Sequence, residues 1–431
     1  MRQRKFRAPP RKTQRRWRVP PALAQGGGET FEGLAVLDEA SGEQGLVLWQ
    51  SLRDALLWGG APPTERSALF APAAEQSRLA AMLAAGMDAE MEPPLKVLAA
   101  MVGAPEQARE ENVGLACRLV AAWADERGKL GTALAFSHAA AVVVPGDPAA
   151  AFAVARLARR RAENARAESW YRRTVALARQ AGDWPTYALA FLGLGTLYVQ
   201  RGSFPAARRF YIRAHRAATR NTLHDVEGMA LHDLFGIAVE TGNAREANAL
   251  ARAAHRAYGN RNPKLPRLAH DVAYFWTTQG EFARALPVLE RLAEIVRSPA
   301  ERLLVFADLA RAAGGVGQRE LFQTAWDQTW DILQGGETEE EAARALLDLA
   351  HGAASLGIWD RAERAAQAAL DVATRRNEAR VRLAAEAVLD SARHHRQAEV
   401  RAARPPAAET GAADTLAEDF MRSLEAYAGA G

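Results

Sequence analysis

A short pattern recurs along this chain and restricts what it can fold into: a glycine, a second residue two positions later, and an alanine three positions after that. The pattern marks five predicted turns, as Gly128/Leu130/Ala133, Gly202/Phe204/Ala207, Gly242/Ala244/Ala247, Gly280/Phe282/Ala285 and Gly357/Trp359/Ala362. Apolar residues at helical spacing lie on both sides of each copy, which predicts two helices joined by a glycine turn. The small side chains let the helix axes approach to about 8–10 Å. The pattern therefore predicts a series of packed helical hairpins.

The most complete hairpin runs from Ala188 to about Asn221. Its residues fit the series W-x2-L-G-x2-Y followed by A-x3-F, and the matching positions are Phe191, Leu194, Gly195, Tyr198, Ala207 and Tyr211. This stretch resembles the tetratricopeptide repeat (TPR), with Phe191 at the usual tryptophan and Thr219 at the usual late proline. The resemblance implies a right-handed superhelical solenoid of TPR-like hairpins.

The same positions, laid over the neighbouring segments, predict seven hairpins. They begin near Gly114, Pro148, Ala188, Gly228, Pro266, Leu303 and Ala343, spaced 34 residues at first and 37 to 40 thereafter. The longer period resembles the extended TPRs of bacterial regulators and scaffolds, and an Arg to Lys ratio of about ten to one is typical of a GC-rich bacterial genome. No stretch alternates with period two for long enough to indicate a sheet. The predicted fold class is all-α.

We divide the chain into five segments. Residues 1–29 are predicted to form a disordered basic arm and linker, 30–104 an N-terminal helical cap, 105–400 the solenoid with its solvating last helix, 401–414 a linker, and 415–431 a short amphipathic helix. A repeat array needs an atypical end to cover its first apolar face. The apolar segment from Leu46 to Trp58 is suited to that role and is predicted to lie inside.

The predicted C-terminal helix is too short to fold alone. Thr415-x-x-Glu418 forms a capping box at its start, and its apolar face consists of Leu416, Phe420, Leu424 and Tyr427. This face must pack on the chain's own solenoid or on a partner, where it would act as a tethered recognition helix.

The first 19 residues are strongly basic. They contain no acidic residue and nine cations: Arg2, Arg4, Lys5, Arg7, Arg11, Lys12, Arg15, Arg16 and Arg18. Since the whole chain carries a formal charge of +4, removing the arm's +9 leaves the remainder near −5. Such an arm is either a solvated tail or a contact to an acidic protein surface, to nucleic acid or to anionic lipid.

Four successive hairpins carry an aspartate at the sixth position of their first helix: Asp233, Asp271, Asp308 and Asp348. In the TPR family, positions 2, 5, 6, 9, 12 and 13 of the first helix tend to face the concave groove, so the resemblance implies that these aspartates line it. The neighbouring groove positions hold His232, Arg267, His270, Tyr274, Arg311 and His351. The register predicts a groove for an extended cationic segment, which could be the chain's own arm. The alternative is that each aspartate is solvated or paired one turn away, as Asp308 would be with Arg311.

The rest of the sequence argues against other classes of protein. Cys117 is the only cysteine, which excludes an intrachain disulfide and favours a reducing, cytoplasmic compartment. No apolar run is long enough to span a membrane, and no catalytic, metal-binding or nucleotide-binding motif is present. His394 and His395 are adjacent and lack a third ligand near in sequence, so we expect no metal and no cofactor.

The expected function is a protein-protein interaction scaffold or adaptor and not an enzyme. Its predicted partner is a protein or peptide bound in the groove between the fourth and seventh hairpins. Two alternatives stay open: a regulatory protein that senses a peptide or effector, and a nucleic-acid-associated adaptor that binds through the basic arm.

Overall fold

The computed structural model describes the backbone of residues 32–336, 338–394 and 410–429, and the side chains of residues 33–336, 338–394 and 415–429. The basic arm and His395 lie outside the described residues. The chain divides into two compact units, Met1–Val226 and Glu227–Gly431.

The first unit contains ten helices among its described residues, joined by short turns. The N-terminal segment also has two short 3₁₀ helices, Pro63–Ala68 and Ala89–Met91. The helices are α1 (Glu32–Glu39), α2 (Gly42–Gly60), α3 (Ala74–Ala84), α4 (Glu92–Gly103), α5 (Glu110–Glu126), α6 (Leu130–Val143), α7 (Pro148–Arg160), α8 (Asn164–Ala181), α9 (Trp184–Gln200) and α10 (Phe204–Arg220).

The described helices continue through the second unit, and α11 begins just before the division. They are α11 (His224–Glu240), α12 (Ala244–Tyr258), α13 (Leu265–Thr278), α14 (Phe282–Ile295), α15 (Pro299–Val316), α16 (Arg319–Gln334), α17 (Glu339–Ser355), α18 (Trp359–Arg375), α19 (Ala379–Arg393) and α20 (Thr410–Ala428). The described residues include no strand, and the all-α prediction is confirmed.

Helices α5 to α18 form the seven predicted hairpins in pairs, and α19 follows as a single helix. The glycine turns have the expected left-handed backbone, with φ of 71° at Gly202 and 72° at Gly242. In the second hairpin the same turn falls on Ala162, whose φ is 59°. A residue with a Cβ is strained in this region, which explains why glycine stands at most of these turns.

Small residues are placed where helices touch. A Cβ on Gly195 would lie 2.2 Å from the ring of Tyr211, so the first helix of that hairpin accepts the aromatic ring only because glycine stands there. A Cβ on Gly314 would lie 2.4 Å from the carbonyl oxygen of Gly352, which shows that α15 and α17 are in backbone contact. The small residues of the repeat pattern therefore permit close packing, as predicted.

The N-terminal helices pack on the first hairpin. Leu48, Leu52 and Trp58 are buried, and the Trp58 indole donates a 2.8 Å hydrogen bond to the carbonyl of Pro105. The carboxylate of Glu39 accepts hydrogen bonds of 2.7 Å from the backbone N–H groups of Gly131 and Thr132, at the start of α6. A carboxylate at this end complements the positive pole of the helix.

One detail of this segment differs from the prediction. Leu46 and Leu57 were predicted to lie inside with the rest of the apolar segment, but they are 56% and 45% exposed. Only one side of α2 is covered by packing helices, so a helix that is apolar around most of its circumference leaves the other side in solvent.

The C-terminal helix packs on the chain itself. Helix α20 begins at Thr410 and not at 415, so residues 410–414 of the predicted linker belong to the helix, and Thr415 lies inside it, away from the N-cap. The alanines before Thr415 favour continuation of the helix. Leu416, Phe420 and Leu424 are 1%, 0% and 0% exposed, against α12, α13 and α14. The alternative of docking on its own repeats is the one that the structure adopts.

Candidate functional site

The predicted aspartates lie on α11, α13, α15 and α17, the first helices of the last four hairpins, where each helix bonds to the next. Nε2 of His232 lies 2.9 Å from Oδ2 of Asp271, and Nε2 of His270 lies 2.9 Å from Oδ2 of Asp308. Arg311 donates a 2.7 Å hydrogen bond to Oδ1 of Asp348. The side chains that the repeat register predicted to share one groove therefore contact each other between successive first helices.

Arg344 joins the last two aspartates. Its Nη2 donates a 3.1 Å hydrogen bond to Oδ2 of Asp308, and its Nε lies 3.7 Å from Oδ2 of Asp348. Its guanidinium carbon lies 3.8 Å from the centre of the Tyr274 ring, a close cation–π contact. We call this set of linked side chains the polar ladder: His232, His270, Asp271, Tyr274, Asp308, Arg311, Arg344 and Asp348.

The end of the polar ladder on α15 and α17 is buried. Asp308 is 0% and Asp348 2% exposed. Burial alone would raise the pKa of Asp308, but the positive charge of Arg344 and the His270 hydrogen bond hold it below its usual value. Burial and the charge of Asp308 raise the pKa of Asp348 to about 6. Burial and Arg311 lower the pKa of His351, one turn from Asp348, to about 3.

The end of the polar ladder on α11 and α13 is more exposed. The side chains of Arg267 and Asp271 are 78% and 38% exposed, and Nε of Arg267 lies 3.8 Å from Oδ2 of Asp271. Asp233 is half-buried. The pairing considered for Asp308 with Arg311 is replaced by a bond from Arg311 to Asp348, because the next helix brings that carboxylate closer. The four aspartates therefore differ widely in their access to solvent.

A second site, which the sequence reasoning missed, lies in the first unit between α8 and α10, over α9. It is a cavity of about 700 Å³. We call it the arginine groove; its lining is Arg172, Val175, Ala176, Arg179, Tyr187, Phe191, Leu194, Phe210, Arg213, Arg216, Ala217 and Arg220. None of these described lining residues carries a carboxylate, so the wall is basic and the floor apolar.

The arginines reach the groove because of their spacing. Arg213, Arg216 and Arg220 stand at i, i+3 and i+7 on α10, which places them on one face of the helix, and all three are exposed. Arg172 and Arg179 have the same i, i+7 relation on α8. This arginine spacing is the sequence signal that could have revealed the groove.

Arg213 and Arg172 both contact neighbouring side chains of the first unit. The Arg213 guanidinium carbon lies 5.7 Å from the centre of the Phe191 ring and 6.0 Å from that of Phe210. Arg172 pairs with Glu168 at 2.7 Å, outside the lining. Burial alone would raise the pKa of Glu168, but hydrogen bonds from Arg172, Arg201 and Tyr198 lower it to about 2. One arginine is thereby anchored at the edge of the groove.

Two absences hold for the part of the chain that the structure describes. That part contains no group of three or more His, Cys, Asp and Glu side chains that could hold a metal ion. None of its helices is both long enough and apolar enough to cross a bilayer.

Part of the chain matches a known protein family. Residues 147–220, which include the whole arginine groove, match the tetratricopeptide repeat family. No curated protein matches the chain. Among solved structures, BtubC (BKLC) from P. vanneervenii is similar at 16% identity over 52% of this chain and 91% of that chain, with a TM-score of 0.41.

Two further solved structures are similar. A putative kinesin light chain of Podosopora anserina, with nearly identical TPR-like repeats, has 19% identity over 45% of this chain and 98% of that chain, with a TM-score of 0.37. The TPR2AB domain of yeast Sti1 in complex with pHSP90 has 13% identity over 66% of this chain and 99% of that chain, with a TM-score of 0.25. Residues 147–220 are therefore similar to tetratricopeptide repeats, and the described helices on both sides of them continue the arrangement in pairs.

Proposed function

We propose that this chain is a protein-protein interaction scaffold whose arginine groove holds an acidic segment of a partner protein. Repeat proteins of this family typically mediate protein-protein interactions. The groove lies wholly within residues 147–220, the part of the chain that the family matches.

The observation that carries this proposal is the charge of the groove. Five arginines line it, and no described lining residue is acidic. Guanidinium groups bind carboxylates through paired, charge-assisted hydrogen bonds, which makes an acidic segment the complementary ligand. The volume of about 700 Å³ and the aromatic floor favour a ligand that also inserts apolar side chains.

The polar ladder supports a ligand less well. Asp308 and Asp348 are buried and already bonded to Arg344 and Arg311. A cationic segment would have to displace these arginines, and breaking a buried ion pair costs about 3–5 kcal/mol. The cationic ligand in the groove of the last four hairpins stays a prediction that our proposal does not adopt.

The two alternative functions also stay predictions. The nucleic-acid adaptor depends on the basic arm, which lies outside the described residues. The effector-sensing regulator depends on a ligand that the sequence does not specify. Neither draws on the arginine groove.

A crosslinking experiment tests the proposal. The photoreactive residue p-benzoylphenylalanine replaces Phe210, which is half-buried on the groove wall, in the full-length chain. After irradiation in lysate of the source cells, crosslinked segments are mapped by mass spectrometry. The same experiment uses a double variant, Arg213→Glu with Arg216→Glu, and a matched control, Arg209→Glu, which is exposed on α10 outside the groove.

We expect crosslinks to protein segments rich in Asp and Glu, lost in the double variant and kept in the control. Equal yields in the double variant would contradict the proposal. Crosslinks to basic segments or to nucleic acid would also contradict it.

A further inference from the structure

Helix α20 shows how this chain holds a short helix. It packs against α12, α13 and α14, which are the second helix of one hairpin and both helices of the next. The Phe420 ring lies 5.0 Å from the His255 ring and 6.4 Å from the Trp276 ring, centre to centre. Nε2 of His255 lies 3.0 Å from Oγ of Ser423, which donates to Oδ1 of Asn260 at 2.9 Å. The occupant is an amphipathic helix with apolar residues at i, i+4 and i+8.

The arginine groove has the same position two hairpins earlier. It is formed by α8, α9 and α10, again the second helix of one hairpin and both helices of the next. Counting from the repeat alanines Ala167 and Ala247, Val175 of the groove corresponds to His255, which contacts α20. The floor that α20 covers in the second unit is therefore matched by an open cavity in the first.

The two sites differ in charge. Counting from Ala207 and Ala285, Glu294 and Ser298 stand where the arginine groove has Arg216 and Arg220. The arginine groove is the more basic of the two, so a helix that fits it needs more carboxylates along its flanks than one that fits the α20 site.

Backbone chemistry favours a helix over an extended ligand. The floor of the groove is apolar, and its walls are helices whose backbone groups are already bonded. An extended segment would bring unpaired N–H and C=O groups against this floor, which is costly, whereas a helix satisfies its own backbone hydrogen bonds. One helix face can insert apolar side chains while both flanks face arginines.

We propose, building on the function proposed above, that the occupant of the arginine groove is an acidic amphipathic helix of a partner protein. It lies between α8 and α10 as α20 lies between α12 and α14. Apolar side chains spaced i, i+3 or i+4, and i+7 enter over Phe191 and Leu194, and carboxylates on its flanks meet Arg172 and Arg213.

A peptide selection tests this inference. Random peptides of about 16 residues, enough for four helical turns, are displayed and selected on the full-length chain. Selected peptides are then made with a fluorescent label, and their binding is measured by anisotropy. We expect enrichment of apolar residues at helical spacing with Asp and Glu between them, and loss of binding when a central residue is replaced by proline.

The groove variants test separately whether the ligand is acidic, as the proposed function requires, and whether it is a helix. Binding should weaken roughly tenfold or more in the Arg213→Glu/Arg216→Glu variant and stay unchanged in Arg209→Glu. If acidic peptides bind through the arginines but tolerate proline, the inference that the ligand is a helix fails, while the proposed function is unaffected. Peptides that bind the double variant as well as the wild type, or a selection without enrichment, would overturn both.

A second copy of this chain is the remaining occupant to examine. A labelled peptide of residues 410–429, which covers α20, enters the same assay. Weaker binding than that of the selected peptides is expected, because the α20 site lacks the equivalents of Arg216 and Arg220. Equally tight binding that depends on Arg213 and Arg216 would show that the occupant is α20 of another copy. The inference that the helix belongs to a partner protein would then fail.

Discussion

Nε2 of His270 lies 2.9 Å from Oδ2 of Asp308, although the two residues are separated by 38 positions in the chain. The same contact links His232 to Asp271 across 39 positions. Counted from the predicted starts of the hairpins, each histidine stands at the fifth position of one hairpin and each aspartate at the sixth position of the next. The repeat period therefore converts a local sequence pattern into bonds between helices.

The first prediction concerns Asp308, which is fully buried and bonded to both His270 and Arg344. Replacing it by asparagine leaves Arg344 without its main counter-charge. We expect Asp308→Asn to lower the free energy of unfolding of the second unit by about 3 kcal/mol. Asp331→Asn, at an exposed position on α16, should change it by less than about 0.5 kcal/mol. Chemical denaturation of both variants measures the difference, and equal stabilities would contradict it.

The second prediction is a pH dependence with two opposing parts. The pKa of His351 is lowered from 6.5 to about 3, so the unfolded chain takes up a proton first and stability falls as pH drops below 6.5. The pKa of Asp348 is raised from 3.8 to about 6, so its contribution to stability is present below pH 3.8 and is lost as pH rises through 6. Between these limits the two slopes have opposite signs.

Single variants should reveal each part. His351→Gln should make stability rise as pH falls from 6 to 3.8, and Asp348→Asn should make it fall, each with a slope of up to roughly 1.4 kcal/mol per pH unit. The wild type should change less than either. Denaturation midpoints measured across this range provide the comparison, and parallel curves for all three proteins would refute the assignment.

The third prediction concerns the contact of α15 with α17. A Cβ on Gly314 would meet the carbonyl oxygen of Gly352 at 2.4 Å, and backbone cannot move aside as a side chain can. We expect Gly314→Ala to destabilise the second unit by about 1–3 kcal/mol. Gly236→Ala is the matched control, since its Cβ would meet nothing within 4 Å. There alanine should stabilise the helix by about 0.5–1 kcal/mol, and thermal unfolding should show the two opposite signs.

The fourth prediction concerns the docking of α20. Phe420 is 0% exposed and contacts rings on α12 and α13. Truncating it to alanine removes about 3–5 kcal/mol of packing free energy. Because a helix of this length is only marginally stable by itself, it depends on that packing to stay folded. We expect Phe420→Ala to abolish the hydrogen-exchange protection of residues 416–424. Glu425→Ala, at an exposed position on the same helix, should preserve it. Unchanged protection in both variants would contradict the docking.

The fifth prediction concerns the turn of the second hairpin. Ala162 has a φ of 59°, where an L-residue pays about 1–2 kcal/mol. Ala162→Gly should therefore stabilise the first unit by about 0.5–1 kcal/mol after the entropic cost of glycine. Ala80→Gly, at an exposed position inside α3, should destabilise by a similar amount. Thermal unfolding of the two variants should again show opposite signs.

The hairpins could be predicted because their causes are local. A turn glycine such as Gly202 has a positive φ that favours glycine, and a helix contact such as that of Gly195 with Tyr211 excludes a larger side chain. Both requirements act within one hairpin, so they leave a periodic mark in the sequence. The seven hairpins were predicted from such marks, and the apolar face of α20 was predicted from the helical spacing of Leu416, Phe420 and Leu424.

The surroundings of the side chains could not be predicted in the same way. The sequence determined that Asp308 and Asp348 share a repeat position. The packing of α15 against α17, made possible by Gly314 and Gly352, buried both carboxylates, brought Arg344 to Asp308 and brought Arg311 to Asp348. The sequence likewise showed arginines on α8 and α10 without showing that they border one cavity. Register within a helix is set by neighbours in the chain, whereas burial and ion pairing depend on helices tens of residues apart, and only their tertiary contact decides them.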